Sequence, residues 1–227
     1  DEEVSRGLGD VYKRQGNPGV QSMLEHHDLL YRDMADPVHL LRARESAALR
    51  DYWPYVDGNH NDPVTAARYS ELMSDSQHLI ANHILDAIKL KPGQRLLDIG
   101  GGTGTFARLA SERFPEASTA VFDLPQVIAA ISPRHRGAME VVSGNMFEDP
   151  IPKTFGTISL VRILHDHDDA PVDRLLSRCF DALPNGGELI IGEPMAGTRN
   201  AESIGHTYFG FYLCLLYTSD AADDGIR

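Results

Sequence analysis

Cysteine, tryptophan and positive charge are what this chain has least of. Its 227 residues include two cysteines, Cys179 and Cys214, and one tryptophan. Two thiols alone build no disulfide framework, which excludes the small secreted scaffolds that depend on one. Lysine and arginine together number 21 against 33 aspartates and glutamates, a formal charge of -12. A surface of that sign gains nothing from a nucleic-acid backbone or an anionic membrane, and no basic stripe offsets it. No apolar run reaches the roughly 20 residues that span a bilayer, and no signal-peptide pattern is present. These absences predict a cytoplasmic protein with no nucleic-acid partner and no membrane insertion. With 42% hydrophobic residues the chain can still bury a proper core.

The two ends fall outside fold reasoning. Ser5–Gln15 (SRGLGDVYKRQ) and Cys214–Asp224 (CLLYTSDAADD) read as one transposase adapter oligonucleotide translated in opposite senses. Residues 1–15 and 214–227 are therefore expected to be adapter-derived tails.

The stretch that organises the rest is Leu96–Ala107, LLDIGGGTGTFA. An apolar run ending in Asp98 and followed by Gly100, Gly101, Gly102 and Gly104 predicts a buried strand entering a turn open to a ligand. Helix-period apolar residues over 105–114 place a helix start behind it, with N–H groups facing that ligand. A dinucleotide turn, G-x-G-x-x-G, needs a glycine where Thr105 stands. The third glycine comes one residue early, so the pattern from Asp98 is D-x-G-x-G-x-G. It resembles the first motif of S-adenosylmethionine (SAM)-dependent methyltransferases and speaks against a nicotinamide-dependent dehydrogenase.

Ahead of this unit, Ser22–Met34 and Val38–Asp51 predict helices, residues 52–63 a loop, and Val64–Leu90 a long helix. Within these, His26, His27, Trp53, His60, Tyr69 and Met73 read as packing or surface residues. After it, strands are expected at Arg95–Ile99, Ala120–Leu124, Glu140–Asn145, Thr157–Ile163 and Glu188–Gly192, with a helix over Asp173–Leu183. Such alternation predicts a doubly wound α/β sheet whose ligands sit at the carboxyl ends of the strands. Asp98, Asp123, Asn145, His165 and Glu193 all fall there. Asp123, with Leu124 after it, stands about twenty residues beyond the glycine turn, where an acid accepts hydrogen bonds from ribose hydroxyls. Asn145 is placed to hydrogen-bond an adenine and Met146 to pack on its face.

The fourth strand runs into LVRILHDHDDA, Leu160–Ala170. Three readings of His165 stay open. The H-x-H-x-D run begins a metal-binding signature, yet Ala170 stands where its last histidine belongs, so no metal is expected. His165 can instead be a structural histidine on a solvated acidic loop. The favoured reading makes it a general base beside Asp166, because histidine titrates near neutral pH and the same sheet edge already holds the nucleoside site.

In order, DIGGGTG, FDLPQVI, GNMFEDPIP and LHDHDDA resemble the small-molecule O-methyltransferases of the caffeate and acetylserotonin type. The resemblance implies a Rossmann-like fold and SAM as cofactor. It implies His165 as the base, Glu193 as a carboxylate that positions it, and Gly100, Asp123, Asn145 and Met146 as SAM contacts. Asn145 departs from the usual aspartate, Val161 from a SAM-contacting lysine, and His167 from a common tryptophan. The resemblance also implies that residues 16–63 are the remnant of a helical N-terminal dimerisation domain. Residues 64–213 would then be a methyltransferase domain lacking its last hairpin, from a homodimeric parent. A narrower likeness, in Gly192–Leu213, is to bacterial O-methyltransferases of acyclic carotenoids. It implies a long polyene substrate with a tertiary hydroxyl, met by Met195, Tyr208, Phe209, Phe211 and Tyr212. The alternatives are a phenolic substrate, or a SAM-binding segment inactive by itself.

Overall fold

The computed structural model describes residues 19–42, 77, 78, 80–193, 195 and 199. The chain forms two compact units, Asp1–Ser76 with Pro194–Arg227, and Gln77–Glu193. In the first, α1 (Gly19–Asp33) buries Leu30 and His26 and carries an exposed Arg32–Asp28 pair one turn apart. A short α2 (Pro37–Arg42) follows, its His39 N–H bonded to Asp36 Oδ1 at 2.9 Å.

The second unit is built on a parallel sheet of β1 (Arg95–Ile99), β2 (Ser118–Asp123), β3 (Glu140–Ser143), β4 (Thr157–Val161) and β5 (Glu188–Gly192). Their order is β3-β2-β1-β4-β5. The chain steps outward from β1 to β3, then crosses to β4 on the other flank of β1. The reversal between β1 and β4 opens the crevice that takes ligands in such sheets.

Helices cover both faces, so the central strands read as apolar runs rather than alternations. Leu97, Ile99, Phe122, Ile158 and Leu160 pack with Leu175 and Cys179 of α7 (Asp169–Ala182). Leu96 and Val161 pack with Phe106 and Ala110 of α4 (Thr105–Arg113), and with Ala81 and Leu85 of α3 (80–87). Two short helices, α5 (Pro125–Ala130) and α6 (Pro133–Arg136), join β2 to β3. No helix among the described residues is long and apolar enough to cross a membrane.

Several boundaries differ from the sequence reading, each for a local reason. Leu124 lies outside β2 and caps α5, whose Pro125 needs no N–H in the first turn. β3 stops at Ser143, just ahead of the turn in which the Asn145 carbonyl accepts the N–H groups of Glu148 and Asp149. β4 stops at Val161 because Arg162 takes a left-handed conformation, φ 60. α7 starts at Asp169 rather than Asp173, since Pro171 falls in the first turn, where its missing N–H costs nothing. The helix ahead of β1 ends at residue 87, three residues short, and Leu90 packs into the core instead. Residues 43–51 and 64–76 of the predicted helices lie outside the described residues, as do Trp53, His60, Tyr69, Met73, Tyr208, Phe209, Phe211 and Tyr212.

Candidate active site

The glycine turn leaves β1 with Gly100, Gly102 and Gly104 at φ 68, 57 and 82. A Cβ at Gly102 would meet nothing within 4 Å, so this glycine serves both the positive φ and an open face. At Gly101 the constraint is below: a Cβ would lie 2.5 Å from Asp98 Oδ2. Asp98 is buried beneath the turn, with Oδ1 accepting the Ser159 hydroxyl at 2.7 Å. Its Oδ2 has no hydrogen-bond partner. Burial pushes the Asp98 carboxyl up to about 7; the Ser159 hydroxyl opposes this and the Asp123 charge adds to it. No side chain caps the start of α4.

Asp123, at the end of β2, is laced to this turn. Its Oδ2 accepts the Gly102 N–H at 2.8 Å and its Oδ1 the Leu124 N–H at 2.7 Å. Burial raises its pKa, and the two backbone donors pull the other way. The Gly144 N–H bonds to the Asp123 carbonyl at 2.9 Å, which sets the loop after β3 beside it. In that loop Asn145 Oδ1 accepts the Phe147 N–H at 2.9 Å, which fixes the side chain over its own turn. Met146 packs against the core cluster. Arg178 of α7 donates to the carbonyls of Met146 (2.9 Å) and Asp149, fastening the loop from behind.

The second corner lies past β4 and β5. His165 sits in the 3-10 turn Leu164–Asp166, with its Nδ1 4.0 Å from Glu193 Oε2. That is ion-pair range and too long for a hydrogen bond. Glu193 Oε1 accepts the N–H groups of Ile163 and of Leu164, the latter at 2.7 Å. Burial lowers the His165 pKa, partly offset by Asp166, and so keeps the imidazole neutral at neutral pH. The Glu193 pKa is raised by burial against those two backbone donors. Asp166 shares the turn with His165 and acts on it, on His167 and on Glu193 through its charge. His167 turns elsewhere, edge-on to Phe147 at 4.8 Å. Among the described residues no three His, Cys, Asp or Glu side chains gather as metal ligands.

The two corners touch, because a Cβ at Gly100 would strike the Ile163 side chain. Asp98, the glycines, Asp123, Leu124, Asn145 and Met146 thus stand on one side of the crevice, and His165, Asp166 and Glu193 on the other. Sequence reasoning missed Ser159, Arg162 and Arg178. A serine alternating into an apolar strand was a usable signal for the first.

An O-methyltransferase domain family matches residues 31–220 of the chain. The chain belongs to that family. It is 42% identical over 197 residues to demethylspheroidene O-methyltransferase of Rhodobacter capsulatus, covering 86% of this chain and 50% of that protein. To the enzyme of the same name from Cereibacter sphaeroides it is 40% identical over 209 residues, covering 88% and 55%. The chain therefore spans about half the length of these curated relatives. A solved O-methyltransferase from neocarzinostatin biosynthesis, in complex with SAM and 2-hydroxy-5-methyl naphthoic acid, superposes with a TM-score of 0.63 at 26% identity, covering 83% of this chain and 58% of that one. The fold is the Rossmann-like one of SAM-dependent O-methyltransferases.

Proposed function

We propose that this chain carries the cofactor site and the base of a SAM-dependent O-methyltransferase acting on the hydroxyl of a small apolar molecule. One observation carries the reading: a glycine turn open at Gly102 and laced to Asp123 meets, on the same sheet edge, a His165 whose Nδ1 faces Glu193 at 4.0 Å. The residues present fit the cofactor. Gly102 leaves room for a ligand against backbone, and the buried Asp98 Oδ2 under the turn lacks a partner. Asp123 keeps lone pairs for ribose hydroxyls after accepting two N–H groups. Leu124, Asn145 and Met146 would border the nucleoside of the bound cofactor.

Bound SAM supplies a methyl group on a sulfonium already activated for transfer. The chain's own part is to hold the acceptor hydroxyl in line and to take its proton. His165 takes that proton at Nε2, while Glu193 faces Nδ1 and stabilises the imidazolium that forms, with Asp166 adding to the same field.

The names of the two relatives support a hydroxylated acyclic carotenoid of the demethylspheroidene kind as substrate. A tertiary alcohol is a weak acid, so a positioned base matters more there than for a phenol. The naphthoic-acid complex favours a phenolic acceptor as the second reading. Residues 64–213 make up the methyltransferase domain, and residues 16–63 belong to a helical dimerisation domain of a cytoplasmic homodimer.

Calorimetric titration with S-adenosylhomocysteine and, separately, NAD tests the cofactor. Binding of the first alone is expected, and binding of NAD instead would overturn the reading. Assays of the protein with a hydroxylated polyene and with a naphthol then separate the two acceptor classes.

A further inference from the structure

Arg162 is a non-glycine residue at positive φ, and it stands where β4 ends and the base corner begins. Its N–H bonds to the Gly192 carbonyl at 3.0 Å, so the β4–β5 pairing runs up to the kink and stops there. The next residue, Ile163, is right-handed at φ -116, ψ -45. A left-handed residue followed by a right-handed one turns consecutive N–H groups toward the same side, a concavity that binds anions. Here the anion belongs to the chain: Glu193 Oε1 takes the N–H groups of Ile163 and Leu164, and Oε2 is left toward His165 Nδ1. Were residue 162 extended, the strand would continue, and successive N–H groups would point to opposite sides rather than to one oxygen.

We infer that Arg162 is a positioning residue whose left-handed backbone gathers the Ile163 and Leu164 N–H groups onto Glu193 and so sets that carboxylate against His165. The inference rests on the reading of His165 as the base. It concerns the backbone at position 162, which makes it separable from the guanidinium. Glycine adopts positive φ freely, and a β-branched residue resists it most.

The experiment follows the His165 imidazole by nitrogen-15 NMR across a pH titration of the full chain, with the signal assigned by its loss in His165→Gln. The charged groups facing the ring are Glu193 and Asp166, with Arg162 acting on Glu193 and His167 and Asp168 close in sequence. In the native chain the neutral ring is expected to hold its proton on Nδ1, facing Glu193. Arg162→Val should lose that tautomer preference and shift the His165 midpoint downward, as Glu193→Gln does, because both remove the carboxylate from Nδ1. Arg162→Gly should keep the tautomer. Both Arg162 variants delete the guanidinium, so the difference between them reports the backbone alone. If Arg162→Val does not fold, Arg162→Ala carries the same comparison with a smaller strain. A native-like tautomer in Arg162→Val beside a shifted one in Glu193→Gln would overturn the inference, as would equal loss in the valine and glycine variants. Failure of the underlying reading looks different: His165→Ala would then retain methyl transfer, whatever the tautomer.

Discussion

The two corners of the crevice use the same device on opposite sides of β1. In each, one carboxylate accepts two backbone N–H groups. Asp123 takes those of Gly102 and Leu124, and Glu193 those of Ile163 and Leu164. In each, a residue at positive φ bends the chain toward the acid. The difference lies in which residue bends. On the glycine-turn side the left-handed positions are glycines: a Cβ at Gly100 or Gly104 would strike Ile163 or Met139, and Gly102 faces open space. On the His165 side the left-handed position is Arg162, which carries a Cβ. Glycine thus stands where a Cβ would clash or close an open face, and a left-handed residue with a side chain where only the direction of the backbone matters.

The largest expected effect separates the corners by role. His165→Ala should lower turnover by about 100- to 10,000-fold while leaving S-adenosylhomocysteine affinity nearly unchanged, measured by steady-state kinetics beside calorimetry. A parallel loss of affinity would mean that the base corner also holds the cofactor. Because burial lowers the His165 pKa, the acid limb of the native kcat/KM profile should fall below the usual histidine range.

Gly102→Val attacks the other corner and should do the reverse. It forces a β-branched residue into positive φ at a cost of about 1–3 kcal/mol and fills the open face. Cofactor affinity should drop, with His165 titrating as before.

The third prediction concerns pH. Asp98 has a folded pKa of about 7 against an ordinary 3.8. Between those values the folded state holds a proton that the unfolded state has released, so this group's contribution to stability falls as pH rises through 7. Asp98→Asn should flatten the decline of unfolding free energy between about pH 4 and 7, followed by urea denaturation at a series of pH values. A slope unchanged by the substitution would mean that the carboxyl is ionised throughout.

The smallest effect is expected of Ser159→Ala. Losing one buried hydroxyl donor to Asp98 should cost about 1–3 kcal/mol and move the Asp98 pKa further up, since that donor now pulls it down.

The same contrast explains what the sequence made legible. The turn from Asp98 was readable because left-handed backbone favours glycine, and glycine is visible as a letter; Asp123 was readable from its place about twenty residues beyond that turn. Glu193 was readable by place, at the carboxyl end of a strand, but its role came only through resemblance, since an acid after a strand is common. Nothing in LVRIL marks Arg162 as left-handed, because the pairing with β5 that fixes it lies thirty residues away. Ser159 meets Asp98 across 61 residues of sequence. The start of α7 was misplaced for a simpler reason: proline reads as a stop, yet it is harmless in a first turn.

β1 has a further consequence, for the order in which the molecule comes apart. It is paired on both flanks, to β2 and to β4, and four of its five residues are buried. Its amides should be among the slowest in the sheet to exchange with deuterium. β3 and β5 have exposed or half-buried residues along most of their length and should open earlier. On warming, the loop behind Asn145 and the seat of Glu193 would therefore loosen while the floor beneath the glycine turn still holds. Both edges of the crevice would be lost before its centre melts.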